Sequence, residues 1–99
     1  MSLTSTDRET LRKLSRIVFG QTHRLELMLA VARSPDGIVS LTELAKALDV
    51  SASSLQTPLQ SLVQSQLLSP LPAVDSRYRF YSRNPSAAWQ WAEELAGQT

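Results

Sequence analysis

Cysteine is absent from this 99-residue sequence. Its absence excludes disulfides and thiol-ligated metal sites and agrees with a reducing compartment. Long apolar runs are missing too, since no stretch approaches the roughly 20 residues of a membrane span. The first ten residues are polar and lack the apolar segment of a secretory signal. We therefore expect a cytoplasmic protein with no membrane partner.

Residues that carry catalytic or metal chemistry are also scarce. There is one histidine, His23, without a nearby acidic cluster, so neither a metal site nor a cofactor is predicted. No glycine-rich phosphate loop is present, and no serine, histidine and acid form a plausible catalytic group. Ten basic against nine acidic residues give a net charge of +1, which does not by itself indicate a nucleic-acid partner. We expect one domain over residues 1–99 that is not an enzyme.

The most informative stretch is residues 40–66, which reads as two short helices joined by a tight turn. Ser40 and Glu43 form a predicted capping box at the start of the first helix. That helix is expected to stop at Asp49 and Val50, and Ser51 is placed to cap the second. The second helix shows leucines at 55, 59 and 62, the spacing of one buried stripe.

Two residues disturb this pattern. Pro58 would cost about 3 kcal/mol in the middle of a helix. Either the helix starts near Ser51 and is kinked, which we favour, or it starts late, with Thr57 as cap and Pro58 in the first turn. Gln66 stands where a glycine would favour the left-handed end of a helix, at a cost of roughly 1 kcal/mol, unless the helix ends another way.

Three further helices flank this core. Thr6 and Glu9 predict a capping box for a helix over residues 6–19, and a central core helix follows over residues 22–33. Asn84 is the expected cap of a last helix over residues 85–96. That helix carries Trp89 and Trp91, more aromatic area than one side of a small domain usually buries. We therefore expect at least one of them in a dimer interface, with ordinary core packing as the alternative.

Residues 68–83 read as a β-wing. Ile38 and Val39 form a short strand that is expected to pair with it. Alternation over residues 77–83 places Tyr78 and Phe80 on one face, able to cover the core. Arg77, Arg79 and Tyr81 lie on the other.

Residues 41–68 resemble the helix-turn-helix core of bacterial winged-helix transcriptional repressors of the ArsR-like and MarR-like kind. Glu43-Leu44-Ala45 matches the start of the first helix in those families, and the small polar run after Val50 matches the start of the recognition helix. The resemblance implies a mainly α protein with a small β-wing, about five helices plus two or three strands. Metal sensing, common in the ArsR-like group, is not carried over, because His23 lacks partners.

In those families the helix outside the minimal core commonly packs against its twin, which implies a homodimer. The expected dimer residues come from the first and last helices: Leu11, Leu14, Val18, Trp89, Trp91 and Leu95.

Double-stranded DNA is the expected partner. Bases would be read in the major groove by exposed polar residues of the recognition helix: Ser53, Ser54, Gln56, Thr57 and Gln60. Phosphate contacts would come from Lys46, Arg77, Arg79 and Arg83, with Ser51 as a neutral donor. No arginine is available there for guanine, so a site rich in A·T is predicted. The alternative is a winged-helix module that docks onto protein, which an uncharged recognition helix also favours.

Overall fold

The computed structural model describes residues 5–72 and 79–97. The helices are α1 (Ser5–Phe19), α2 (Arg24–Ala32), α3 (Leu41–Leu48), α4 (Ala52–Gln64) and α5 (Ala87–Gly97). The strands are β1 (Ile38–Ser40), β2 (Leu68–Pro70) and β3 (Phe80–Arg83). Within the described residues, five helices and a three-stranded antiparallel sheet confirm the expected winged-helix architecture.

Helix α2 is the centre of the core. Leu25, Leu27 and Val31 are completely buried, and the helix contacts α1, α3, α4 and α5. Its run of consecutive apolar residues buries nearly its whole circumference, as expected of a helix surrounded by others. The helix-turn-helix and the wing are therefore built on α2.

Ser40 and Ser51 cap the two helices of the helix-turn-helix as predicted. The Glu43 N–H donates to Ser40 Oγ over 3.2 Å, and the Ser54 N–H donates to Ser51 Oγ over 3.3 Å. Between the two helices Asp49 adopts a left-handed conformation with φ 56°, which aspartate tolerates better than most residues. Asp49 and the Ser51 cap therefore define the turn between α3 and α4 and with it the direction of α4.

Helix α4 runs through Pro58, so the early start is confirmed and the start at Thr57 is wrong. Pro58 is buried with the leucine stripe. After the helix, Gln66 adopts φ 66°, and the Gln66 and Leu67 N–H groups donate back to Val63 and Leu62. The left-handed helix end is therefore present without glycine.

The sheet has the order β1-β3-β2, with Val39 opposite Tyr81 and Pro70 opposite Tyr81 on the other side. The predicted facing of the wing strand is wrong. Tyr81 is 7% exposed and belongs to the core, whereas Phe80 is 37% exposed. Because side chains alternate along a strand, burying Tyr81 sends Phe80 to the other face.

Two helix starts also differ from expectation. Helix α1 spans Ser5–Phe19, so Thr6 lies within the helix and not at the cap position before it. Helix α5 begins at Ala87, and Ser86 accepts the Ala88 N–H over 3.0 Å, so Ser86 occupies the position predicted for Asn84. Among the described residues, none of the helices combines the length and hydropathy of a membrane-spanning helix.

Candidate nucleic-acid interface

Helix α4 turns a polar, uncharged face to solvent. Its predicted base-reading residues are all exposed, namely Ser53, Ser54, Gln56, Thr57 and Gln60. The opposite face packs into the core through Leu55, Leu59 and Leu62. The apolar stripe thus determines which residues are free, and those are the residues expected to read bases.

The first turn of α4 holds a small hydroxyl cluster. Ser51 Oγ lies 3.1 Å from Ser53 Oγ and 2.7 Å from Ser54 Oγ. A hydroxyl both donates and accepts, so each can exchange these bonds for one to a phosphate oxygen or a base edge. The cluster lies at the helix N-terminus, where the helix dipole favours an anion.

A cleft of about 280 Å³ separates the second half of α4 from the wing. Gln60 and Val63 form the helix side, and the wing contributes Pro70, Leu71, Arg79, Phe80 and Tyr81. Arg79 is exposed. The cleft therefore places one cation beside the polar face of α4. Lys46 is a second exposed cation, on α3, whereas Arg77 lies outside the described residues.

Arg83 does not extend to this face. Its Nη1 donates to the carbonyl oxygens of Val31, Ala32 and Ser34 over 2.8–3.0 Å. Val31 and Ala32 are the last turn of α2, where carbonyls lack partners within the helix, and Ser34 lies just beyond it, so Arg83 caps the end of α2. The expectation of a phosphate contact from Arg83 is therefore not supported by its position.

Asp36 lies in the turn beside Arg83. The backbone N–H of Ile38 donates to its carboxylate over 3.0 Å, and the Ser34 hydroxyl donates over 3.2 Å. These bonds, with a smaller effect of the Arg83 charge, lower the pKa of Asp36. Asp36 and Arg83 together brace the base of the wing against the end of α2.

The expected dimer residues divide into two groups. Leu11 and Trp89 are buried within the chain, and Leu14 and Leu95 pack against the same core. Val18 and Trp91 are exposed, and so is Ile17, which was missing from the expected set. Ile17 is 72% exposed and Trp91 44%. Burial in the chain's own core therefore removes Leu11 and Trp89 from the candidate dimer surface.

An aromatic contact links α1 and α5. The rings of Phe19 and Trp91 meet edge to face with centroids 5.5 Å apart, and the Arg24 guanidinium lies 5.7 Å from the Phe19 centroid. This contact fixes the end of α1 relative to α5 while Trp91 keeps an exposed edge.

A buried carboxylate holds α1 against α2. Glu26 has a fully buried side chain, and its Oε1 lies 2.9 Å from Arg12 Nε. Its Oε2 lies 3.4 Å from Arg12 Nη2, and His23 Nδ1 contacts Oε1. His23 is thus engaged with Glu26. Within residues 5–72 and 79–97 no three acidic or histidine side chains converge on a metal position.

The sequence matches no family model and no curated protein. Solved structures do match. A mutant of MarR from E. coli superposes with a TM-score of 0.70 at 20% identity, covering 94% of this chain and 69% of that one. Sco3205, a MarR family transcriptional regulator from Streptomyces coelicolor solved in complex with DNA, gives 0.64 at 21% identity, with coverage of 95% and 64%. AbsC, another MarR family regulator from that organism, gives 0.56 at 18% identity, with coverage of 99% and 73%.

These likenesses show the fold. The chain has the winged helix-turn-helix architecture of MarR-family transcriptional regulators, which confirms the MarR-like fold expected from residues 41–68. The chain spans about two thirds of the length of the first two.

Proposed function

We propose that this protein binds double-stranded DNA in a sequence-specific manner and acts as a small transcriptional regulator. The observation that carries the proposal is the exposed polar face of α4 beside a cleft that contains Arg79. A fold neighbour solved in complex with DNA supports it. Helix α4 would enter the major groove, and the wing would lie along the backbone.

The residues of α4 suit particular bases. Gln56 and Gln60 can bond adenine through two hydrogen bonds, and the Thr57 methyl can contact the methyl of thymine. Ser53 and Ser54 can serve either base. No residue from Ser51 to Gln66 is charged, so the guanine contact most often made by arginine is missing from this helix.

Phosphate contacts would come from outside α4. Arg79 lines the cleft opposite Gln60, where a sugar–phosphate strand between the two elements would pass. Lys46 on α3 and the Ser51 hydroxyl at the start of α4 would add further contacts to DNA phosphates.

A homodimer completes the proposal. A single α4 reads only a few base pairs, and a two-fold dimer doubles that number over two half-sites. The exposed apolar side chains Ile17, Val18 and Trp91 are the candidate contacts. Sedimentation equilibrium of the native chain and of Ile17→Lys tests this. A native dimer that the variant weakens supports it, and a native monomer at every concentration contradicts it.

Fluorescence anisotropy with a labelled duplex across a salt series tests DNA binding. We compare the native chain with Arg79→Ala and with Lys13→Ala, which removes the same charge from the exposed side of α1. Native binding should weaken as salt rises. Arg79→Ala should reduce the slope by about one phosphate contact, and Lys13→Ala should not.

The uncharged recognition helix also favours a second candidate function, docking onto another protein. Winged-helix domains serve both purposes, and the fold does not choose between them. A folded native protein that fails to bind any duplex at low salt would favour the docking function.

A further inference from the structure

Asn84 lies at the junction between the recognition helix, the wing and α5. Its Nδ2 donates to the Gln66 carbonyl over 2.7 Å, and its amide also pairs with the Ser69 hydroxyl over 2.9–3.0 Å. Its backbone N–H donates to the Leu67 carbonyl over 3.0 Å, and its own carbonyl accepts from Trp89 Nε1 over 2.7 Å. One residue thus bonds the turn after α4, strand β2 and helix α5.

The turn that Asn84 bonds after α4 contains a strained residue. Gln66 is a left-handed residue without the freedom of glycine, a conformation that costs roughly 1 kcal/mol and persists only when the surroundings fix it. Asn84 bonds the carbonyl groups of Gln66 and Leu67, the two residues that follow the last turn of α4. Asn84 is therefore bonded directly to the turn that ends α4.

Asn84 is itself fixed from α5. Trp89 is buried, and its indole N–H reaches the Asn84 carbonyl from the first turn of α5. The contacts form an unbroken route from Trp89 through Asn84 to Gln66. Neither α5 nor Asn84 belongs to the face that would touch DNA.

We infer that Asn84 is a positioning residue, which holds the end of α4 at a fixed orientation relative to α5 and thereby sets base discrimination. This inference rests on the proposed function. Without the Asn84 bonds, the C-terminal end of α4 would move, and Gln60 would reach the groove in several orientations. The difference in affinity between the correct base and other bases would then be smaller. Phosphate contacts from Arg79 and Lys46 tolerate this freedom, because they need charge more than geometry.

The test variant is Asn84→Asp, which has the same shape and keeps both backbone bonds. It replaces the Nδ2 donor by a carboxylate oxygen that faces the Gln66 carbonyl, so that bond is lost. Ser86→Ala is the matched control, because it removes the α5 cap two residues away and leaves the Asn84 side chain untouched. Ser69→Ala is a second variant with Asn84 intact, in case Asn84→Asp does not fold.

Two measurements are made on each protein. The first is the affinity ratio between a duplex selected from a random pool by the native protein and a shuffled duplex of the same composition, with the salt slope of each. The second is amide hydrogen exchange at Gln66 and Leu67, compared with Ser54 in the first turn of α4. Exchange needs no DNA, and a general loss of stability would raise it at both ends of the helix.

Asn84→Asp should lower the affinity ratio by about tenfold, the value of one base pair read in the groove, with the salt slope unchanged. Exchange should rise at Gln66 and Leu67 and not at Ser54, and Ser86→Ala should keep the native ratio. Ser69→Ala should act in the same direction with a smaller effect.

A native affinity ratio in Asn84→Asp, or an equal loss in Ser86→Ala, overturns the inference and leaves the proposed function standing. A native protein that binds no duplex overturns the proposed function, and the inference on discrimination falls with it.

Discussion

The buried carboxylate of Glu26 gives the most quantitative prediction, an unequal cost of removing either partner of its ion pair. Arg12→Met should destabilise the fold more than Glu26→Gln. The reason is burial, since the Glu26 side chain is 0% exposed and the Arg12 side chain 26%. Without Arg12 a carboxylate stays buried, whereas without Glu26 the guanidinium can turn to water.

The magnitudes follow from this difference. Leaving one charge of a buried pair uncompensated costs about 3–5 kcal/mol. Because His23 Nδ1 still contacts Glu26 Oε1, we expect the low end of that range for Arg12→Met. Glu26→Gln keeps a hydrogen-bond acceptor and loses only the charge assistance of the bond, so we expect about 1.5–3 kcal/mol. A domain of this size is stable by roughly 5–15 kcal/mol, so Arg12→Met removes a large fraction. The double variant Arg12→Met/Glu26→Gln should lose less than the sum of the two single losses, because no buried charge is then left alone.

Urea denaturation followed by circular dichroism measures these differences, at one fixed protein concentration because dimerisation would couple to folding. Lys13→Met is the control, since it makes the same replacement at the neighbouring exposed position and should stay within about 0.5 kcal/mol of the native chain. The reasoning is refuted if Arg12→Met costs no more than Glu26→Gln, or if the double variant loses the sum of the two single losses.

Three further predictions concern the helix end, the wing base and the DNA site. Gln66→Gly should raise the melting temperature by about 4–8 °C, since glycine removes roughly 1 kcal/mol of left-handed strain. Gln60→Gly, at an exposed position inside α4, should lower it. Thermal melts that give the same sign for both variants would contradict this. The lowered pKa of Asp36 means that the folded chain binds fewer protons at this carboxylate than the unfolded chain does. The stability that Asp36 contributes is therefore fully present above the ordinary aspartate pKa, and it is lost as the pH falls through the lowered pKa of the folded chain. Asp36→Asn should therefore flatten the fall of the urea midpoint in acid, and an unchanged acid profile would argue against it. Duplexes selected from a random pool should be rich in A·T beneath α4, and conserved guanines there would show that Gln60 and its neighbours do not read the groove as proposed.

Local signals in the sequence predicted much of the fold. Ser40 and Ser51 cap helices because their hydroxyls reach backbone N–H groups three residues ahead, an interaction that needs no tertiary structure. The apolar stripe of α4 likewise identified its exposed face. Pro58 was the ambiguous residue, and its burial beside Leu59 shows why the pattern prevailed over propensity. Packing of the whole stripe outweighs one lost helical bond.

The failures share a physical cause, which is competition from distant parts of the chain. Asn84 and Ser86 are both good caps by their own chemistry, and the sequence does not show that Asn84 is engaged by Gln66, 18 positions earlier. Arg83 was likewise expected to contact phosphate, but its guanidinium donates to three carbonyls at and just beyond the end of α2. In each case a local preference was outweighed by partners that only the fold assembles.

The same competition determines how the wing can contribute to DNA binding. With Arg83 bonded to α2, Arg79 is the wing cation that borders the cleft within the described residues. Phosphate attraction from each protomer would then be modest, and the uncharged α4 adds none of its own. Affinity for a single half-site should therefore be low. Occupancy of the DNA would then depend on a dimer that binds two half-sites, because binding of the first half-site raises the effective concentration of the second. Under the proposed function, specificity would then depend on how rigidly α4 is held as well as on the residues that face the groove, and the hydrogen bonds of Asn84 at the end of that helix contribute to this rigidity.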